Sequence, residues 1–150
     1  MAKEALLLSI RPRFAELIFT GLKTVELRRM RPRIGKDDVA FVYVSSPVKA
    51  LAGAFEVEEV VSDSPRSVWR QFGSMTGITK AEFTSYYAGR KIAYAIRIRR
   101  YWRLNAPIRL DKLRKDRHGF HPPQGYQYVS PQRFGRPGGF EGLLARTRSN

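Results

Sequence analysis

The sequence predicts an α+β fold, a mixed β-barrel flanked by short helices. Short apolar runs with strand character alternate irregularly with short amphipathic stretches. No regular helix follows each run, as a parallel α/β sheet requires. Residues 39–45 (Val-Ala-Phe-Val-Tyr-Val-Ser) are apolar on both faces, as a central strand is. These features fit a barrel better than a doubly wound sheet. A chain of 150 residues that is 43% hydrophobic suits one domain with one core.

The elements follow in order. Residues 5–10 are a short apolar run, read as a strand. Pro12 pre-sets the first turn of a helix, and Phe14, Leu17 and Ile18 give it a buried stripe. Gly21 ends that helix. A strand follows over residues 24–29, then a basic loop in which Pro32 stops strand continuation. Ser46-Pro47 breaks the central strand. Residues 51–61 form the next strand, with a bend or bulge at Gly53 and a second bulge near Glu59, where the alternation slips. Ser64-Pro65 reads as a helix cap with proline at the first helical position. That helix carries Val68, Trp69 and Phe72 and ends near Gly73. Thr79-Lys80-Ala81-Glu82 matches a capping box, and its helix buries Phe83, Tyr86 and Tyr87 before Gly89. Residues 91–102 form the longest strand, with Ile92, Tyr94, Ile96 and Ile98 facing the core and Arg97 and Arg99 facing away. Residues 107–113 are read as a turn into a short helix. Pro122-Pro123 forces an extended segment before Tyr126 and Tyr128. Residues 131–150, rich in Gly, Arg, Ser and Pro, read as a mobile basic tail in which Phe140, Leu143 and Leu144 could dock as a small helix.

Charge narrows the function. Lys plus Arg number 28 against 13 acids, a net charge of +15. Twenty of the cations are arginine and eight are lysine. Arginine makes forked contacts to phosphate and stacks on bases, so the bias favours nucleic acid. Residues 1–60 hold ten basic and eight acidic side chains, residues 61–150 eighteen and five. Such asymmetry points to one strongly positive face or arm; the plain alternative is a generally basic surface. There is no cysteine, hence no disulfide framework and no thiolate zinc site. No apolar run approaches a membrane-spanning length and no signal peptide is recognisable, so a cytoplasmic protein is the simplest expectation.

Residues 21–28 (Gly-Leu-Lys-Thr-Val-Glu-Leu-Arg) are the most informative segment. Period two puts Thr24, Glu26 and Arg28 on one face of the strand and Val25 and Leu27 on the other. Val25 and Leu27 belong in the core. Glu26 then stands between Lys23 and Arg28, a carboxylate held in place by two cations. That suits a polar pocket, although a solvated strand face with a surface ion pair gives the same pattern.

The spacing Gly21-x-Lys23-x-x-Glu26-x-Arg28 resembles the signature of the ASCH domain, a branch of the PUA-like superfamily. Further segments agree in order: residues 6–12 (Leu-Leu-Leu-Ser-Ile-Arg-Pro), residues 43–49 (Tyr-Val-Ser-Ser-Pro-Val-Lys), Ile78-Thr79-Lys80 before Phe83 and Tyr86, Ala93-Tyr94-Ala95-Ile96, and Pro122-Pro123-Gln124 before Tyr126. The match covers about residues 4–130 and places the domain at residues 1–130. The resemblance implies a PUA-like, partly open barrel of five or six strands. It also implies a cleft between the first helix, the signature strand and neighbouring strands, where relatives hold RNA or a modified base.

Lys23, Glu26, Arg28, Tyr43, Ser45 and Ser46 are the candidate ligand-binding residues. Glu26 can accept from a base amine or ring N–H, Arg28 and Lys23 can hold a phosphate or carbonyl, and Tyr43, Tyr126 or Tyr128 can stack. Arg11, Arg13, Arg29, Arg31, Arg33, Arg97, Arg99, Arg100 and Arg103 are candidates for tracking a nucleic-acid backbone. The expected partner is RNA or another single-stranded nucleic acid, with a nucleoside or nucleotide as a second possibility; no cofactor, metal or membrane is expected. The alternative is a metal-independent hydrolase. For RNA cleavage, Lys23, Glu26, Tyr43 and Lys49 could supply acid, base and phosphate-stabilising cations. Some small ASCH proteins resemble amidohydrolases of acetylated cytidine, which use a lysine, a threonine nucleophile and a glutamate. Lys23 matches the lysine, but Glu26 stands at the threonine position, Thr24 is offset by two residues, and Glu56, Glu58 and Glu59 are open candidates for the glutamate. His118 and His121 with Asp116 lack a fourth ligand and read as a loop.

Overall fold

The computed structural model describes residues 5–116 and 119–130, with residues 147–149 in backbone only. One seven-stranded sheet runs β2-β5-β4-β3-β1-β6, with β7 pairing on β5. The strands are β1 (Ala5–Ile10), β2 (Val25–Arg28), β3 (Val39–Val44), β4 (Ala50–Asp63), β5 (Ala93–Arg109), β6 (Tyr126–Val129) and β7 (Thr147–Ser149). The helices are α1 (Pro12–Phe19), α2 (Pro65–Phe72), α3 (Lys80–Tyr86) and α4 (Leu110–Asp116). Among the described residues only β1 and β3 pair in parallel; the other ladders are antiparallel. The architecture is a curled, partly open α+β half-barrel.

Local chemistry accounts for most boundaries. Pro12 opens α1, and Gly21 follows it at φ 80°, a conformation that costs glycine little. Ser64 caps α2 by accepting from the Ser67 N–H. Thr79 and Glu82 form a reciprocal capping box on α3. The β4–β5 register shifts beside Gly53 and again between Glu56 and Glu59. Gly53 is obligatory there: a Cβ would lie 2.1 Å from the Trp102 carbonyl oxygen.

Two expectations for β5 need correction. The strand does not turn at Pro107 but continues to Arg109. Leu51 pairs with Ile108 and Gly53 with Arg103, so exposed Asn105, Ala106 and Pro107 form a wide bulge that has no need of a proline N–H. The strand is also covered on both faces. Ile96 packs inside the barrel with Leu6, Leu8, Val42 and Phe55. Ala93 and Ala95 pack on the other face with Val25, Leu27, Val68, Phe72, Phe83 and Tyr87. Small alanines admit α2 and α3 close to the sheet, while Ile92 stays 48% exposed. The expected tail falls outside the described residues, Phe140, Leu143 and Leu144 included, except that Thr147–Ser149 pair with Trp102–Leu104.

This topology positions the site. β2 and β6 are the two ends of the strand order and share no backbone ladder. Side chains bridge the seam instead. The Arg33 N–H donates to the Tyr128 hydroxyl at 2.8 Å, and the Arg33 guanidinium lies 4.0 Å over the Tyr128 ring. Arg28 Nη2 stands 3.5 Å from the Ser9 carbonyl.

Candidate functional site

A cleft of about 430 Å³ opens along this seam. Its walls are the end of β1 with the start of α1 (Ser9, Ile10, Arg11, Phe14), β2 with its approaches (Lys23, Glu26, Leu27, Arg28, Arg29), the α3 region (Ile78, Glu82, Tyr86) and residues 124–125. The period-two alternation builds it. Val25 and Leu27 are 1% and 7% exposed against the α2–α3 layer, so Glu26 and Arg28 turn to the barrel side, where hydrophobic residues would otherwise sit.

Glu26 is 7% exposed and is held from both sides. Lys23 Nζ lies 3.4 Å from Oε1, and Arg28 Nη2 lies 2.7 Å from Oε2. The Lys23 ammonium is otherwise committed to backbone. It donates to the Val25 carbonyl at 2.8 Å and the Thr76 carbonyl at 2.6 Å, stitching the loop after α2 to β2. Burial pushes the Lys23 pKa below the usual lysine value, and the Glu26 carboxylate partly opposes that shift. An ammonium has three donors, and these three acceptors use them. Lys23 therefore orients Glu26 rather than reaching toward a phosphate. Arg28 Nε is buried without a hydrogen-bond partner among the described residues.

The aromatic lining differs from the rings nominated on sequence. Phe14 and Tyr86 line the cleft; Tyr126 and Tyr128 pack against the barrel core. Both cleft rings already carry cations. Arg13 sits 4.4 Å over Phe14, and Arg29 sits 4.3 Å over Tyr86. Phe14 and Tyr86 read as ordinary helix-stripe residues, so periodicity alone gave no reason to single them out. Ser9 and Gln124 likewise carry no local signal beyond belonging to residues 6–12 and 122–126.

Tyr43, Ser45, Ser46 and Lys49 gather in a second hollow of about 330 Å³, lined also by Ser9, Pro122, Pro123 and Gln124. Ser9 and Gln124 thus face both cavities, with segment 122–124 between them. The Ser9 hydroxyl donates to the Pro123 carbonyl and fixes that segment. Burial pushes the Tyr43 hydroxyl above the ordinary tyrosine value, with Arg114 opposing, so it is a proton donor at neutral pH. Lys49 is exposed with φ 52°, a left-handed conformation that is unusual for a lysine.

The backbone-tracking candidates divide. Arg11 and Arg29 are exposed and line the cleft. Arg13 pairs with Glu82 at 2.6 Å, joining α1 to α3. Arg31 donates to the Ser62 hydroxyl. Arg97 pairs with Glu59, Arg99 with Asp37, Glu56 and Glu58, Arg100 with Glu56, and Arg103 with Glu16. The β5 arginines thus largely neutralise acids on β4 and α1. Glu56, Glu58 and Glu59 are thus engaged by arginines, whereas the acid paired with Lys23 is Glu26. The Thr24 N–H donates to the Met75 carbonyl. His121 is an exposed loop residue and His118 lies outside the described residues. Among the described residues no group of three His, Cys, Asp or Glu side chains could hold a metal. No described helix is long and apolar enough to cross a membrane.

The ASCH domain family model matches residues 8–112, which include the end of β1, all of β2 and the Lys23–Glu26–Arg28 constellation. The chain belongs to the ASCH domain family. The ASCH domain-containing ribonuclease of Zymomonas mobilis subsp. mobilis is 32% identical over 127 residues, spanning 85% of this chain and 84% of that protein. The crystal structure of ASCH from Zymomonas mobilis superposes with a TM-score of 0.82 at 28% identity, over 96% of each chain. A further relative is the large ribosomal subunit protein uL22 of Ureaplasma parvum serovar 3. It is 30% identical over 127 residues, which are 84% of this ASCH chain but 39% of the relative.

Proposed function

We propose that this ASCH protein binds single-stranded RNA and seats one base in the seam cleft. The observation that carries the reading is Glu26: a carboxylate 7% exposed, fixed by Lys23 and Arg28, and lining a cavity that Phe14 and Tyr86 also line. A carboxylate accepts hydrogen bonds from base N–H groups. Stacking against an aromatic ring adds about 1–3 kcal/mol per base. Arg11 and Arg29 at the mouth supply cations for the flanking phosphates. The ribonuclease name of a relative that spans most of the chain supports RNA as the ligand. The test is binding of fluorescent single-stranded RNA at low and moderate salt. Affinity should fall steeply as salt rises, and no binding at low ionic strength would contradict the reading.

A second reading, RNA cleavage, is favoured by the hollow beyond segment 122–124. Tyr43 there is a protonated hydroxyl beside Ser45, Ser46 and Lys49. The RNA 2′-hydroxyl would attack the adjacent phosphorus, giving its proton to solvent and forming a 2′,3′-cyclic phosphate, while Tyr43 donates a proton to the leaving 5′-oxygen and Lys49 stabilises charge on the phosphorane. Incubating end-labelled RNA with the protein and with Tyr43→Phe tests it. Cleavage by the parent and loss in the variant supports the reading; equal rates would remove it.

A further inference from the structure

We infer that the cleft selects guanine, with the Glu26 carboxylate reading its Watson–Crick edge. The inference rests on the RNA-binding reading of the same cleft and adds which base it accepts.

The argument counts lone pairs. A carboxylate offers about four acceptor sites. Lys23 takes one on Oε1 and Arg28 one on Oε2, so one site remains on each oxygen. Lys23 has no donor left, because its other two go to the Val25 and Thr76 carbonyls. The Arg28 Nε is buried behind the wall and does not face the cleft, so the carboxylate edge offers two adjacent acceptors. Guanine presents N2–H and N1–H side by side and fills both. Cytosine and adenine place one amino group on the carboxylate and then set a ring nitrogen acceptor against the second oxygen. Uracil has a single N–H flanked by two carbonyls and meets the same repulsion. Unpaired buried polar groups are what make such discrimination large.

Stacking leaves the base choice open, since every base has a π-face. Phe14 and Tyr86 would hold the ring plane, and the carboxylate edge would choose among the bases. The contiguous hollow at Ser9 and Gln124 then receives the neighbouring nucleotide.

The test uses 2′-fluoro pentanucleotides UUXUU, which lack the hydroxyl that cleavage consumes, with X as guanine, inosine, adenine, cytosine or uracil. Binding is followed by fluorescence anisotropy at low salt. Guanine should bind at least about tenfold tighter than adenine, cytosine or uracil. Inosine keeps N1–H and O6 but loses N2–H, and should fall about tenfold below guanine, the worth of a hydrogen bond to a charged group. Because inosine alters the ligand, this arm does not depend on a variant folding. Glu26→Gln, if folded by circular dichroism, should bind guanine and adenine equally. Equal affinity across the bases, preference for another base, or inosine equal to guanine would overturn the inference while leaving RNA binding intact. Failure of every pentanucleotide to bind would overturn both.

Discussion

Lys23→Met asks whether the buried lysine positions the site. The substitution keeps the length of the side chain and removes the ammonium. Two buried carbonyls, Val25 and Thr76, then lose donors at 2.8 and 2.6 Å. Each unsatisfied acceptor costs about 1–3 kcal/mol. Glu26 also loses one of its two cations, and breaking a buried pair from one side costs about 3–5 kcal/mol. Against this, the native state no longer bears the desolvation of a buried ammonium, the dominant cause of the lowered Lys23 pKa. A net loss of about 3 kcal/mol follows, a fall in Tm of about 6–12 °C for a chain this size. Urea unfolding at pH 7 measures it. The linkage has a definite sign. The folded state releases the Lys23 proton before the unfolded state does, so stability gained from this group rises with pH toward 10.5. The gap between parent and variant should widen over that alkaline range. Since Lys23 does not reach a phosphate, the salt dependence of RNA binding should be unchanged in the folded variant. A loss below about 1 kcal/mol, or a shallower salt slope, would refute the positioning role.

Other outcomes follow from the same geometry. Arg29→Ala should lower the slope of log K against log salt by about 0.7, the value for one phosphate on a single strand; Arg99→Ala, whose charge meets three carboxylates, should leave the slope unchanged in salt titrations. Gly53→Ala should cost about 2–3 kcal/mol in urea unfolding, because its Cβ would meet the Trp102 carbonyl of the paired strand and that backbone cannot yield cheaply. Burial raises the Tyr87 hydroxyl pKa far above 10.0, so its stabilisation is full below pH 10 and is lost as pH climbs further. Tyr87→Phe should therefore lose about 1 kcal/mol at pH 7, where the bond to the Arg28 carbonyl is missing, and decline less steeply above pH 10.

The sequence made some features legible because single residues decide them. Ser64, Thr79 and Glu82 announce helix starts through their capping chemistry, and Gly21 and Gly53 mark a helix exit and a bulge. The alternation over residues 24–28 correctly placed Val25 and Leu27 in the core and brought Lys23, Glu26 and Arg28 together. What stayed hidden depends on pairing across the sheet. Pro107 looked like a turn because the wide bulge that accommodates it is set by β4, not by its neighbours in sequence. Arg97, Arg99, Arg100 and Arg103 looked available because their acid partners lie about 38–87 positions away along the chain. The separation of Tyr43, Ser45, Ser46 and Lys49 from the Glu26 cleft depends on segment 122–124 lying between, which no local pattern encodes.

The most direct test of base capture is a crystal structure of the protein bound to the 2′-fluoro UUGUU pentanucleotide. The account predicts the guanine ring between Phe14 and Tyr86, with N1 and N2 within hydrogen-bond distance of the Glu26 carboxylate. An oligonucleotide lying along the outer face of β4 and β5, with the seam cleft holding no base, would contradict it.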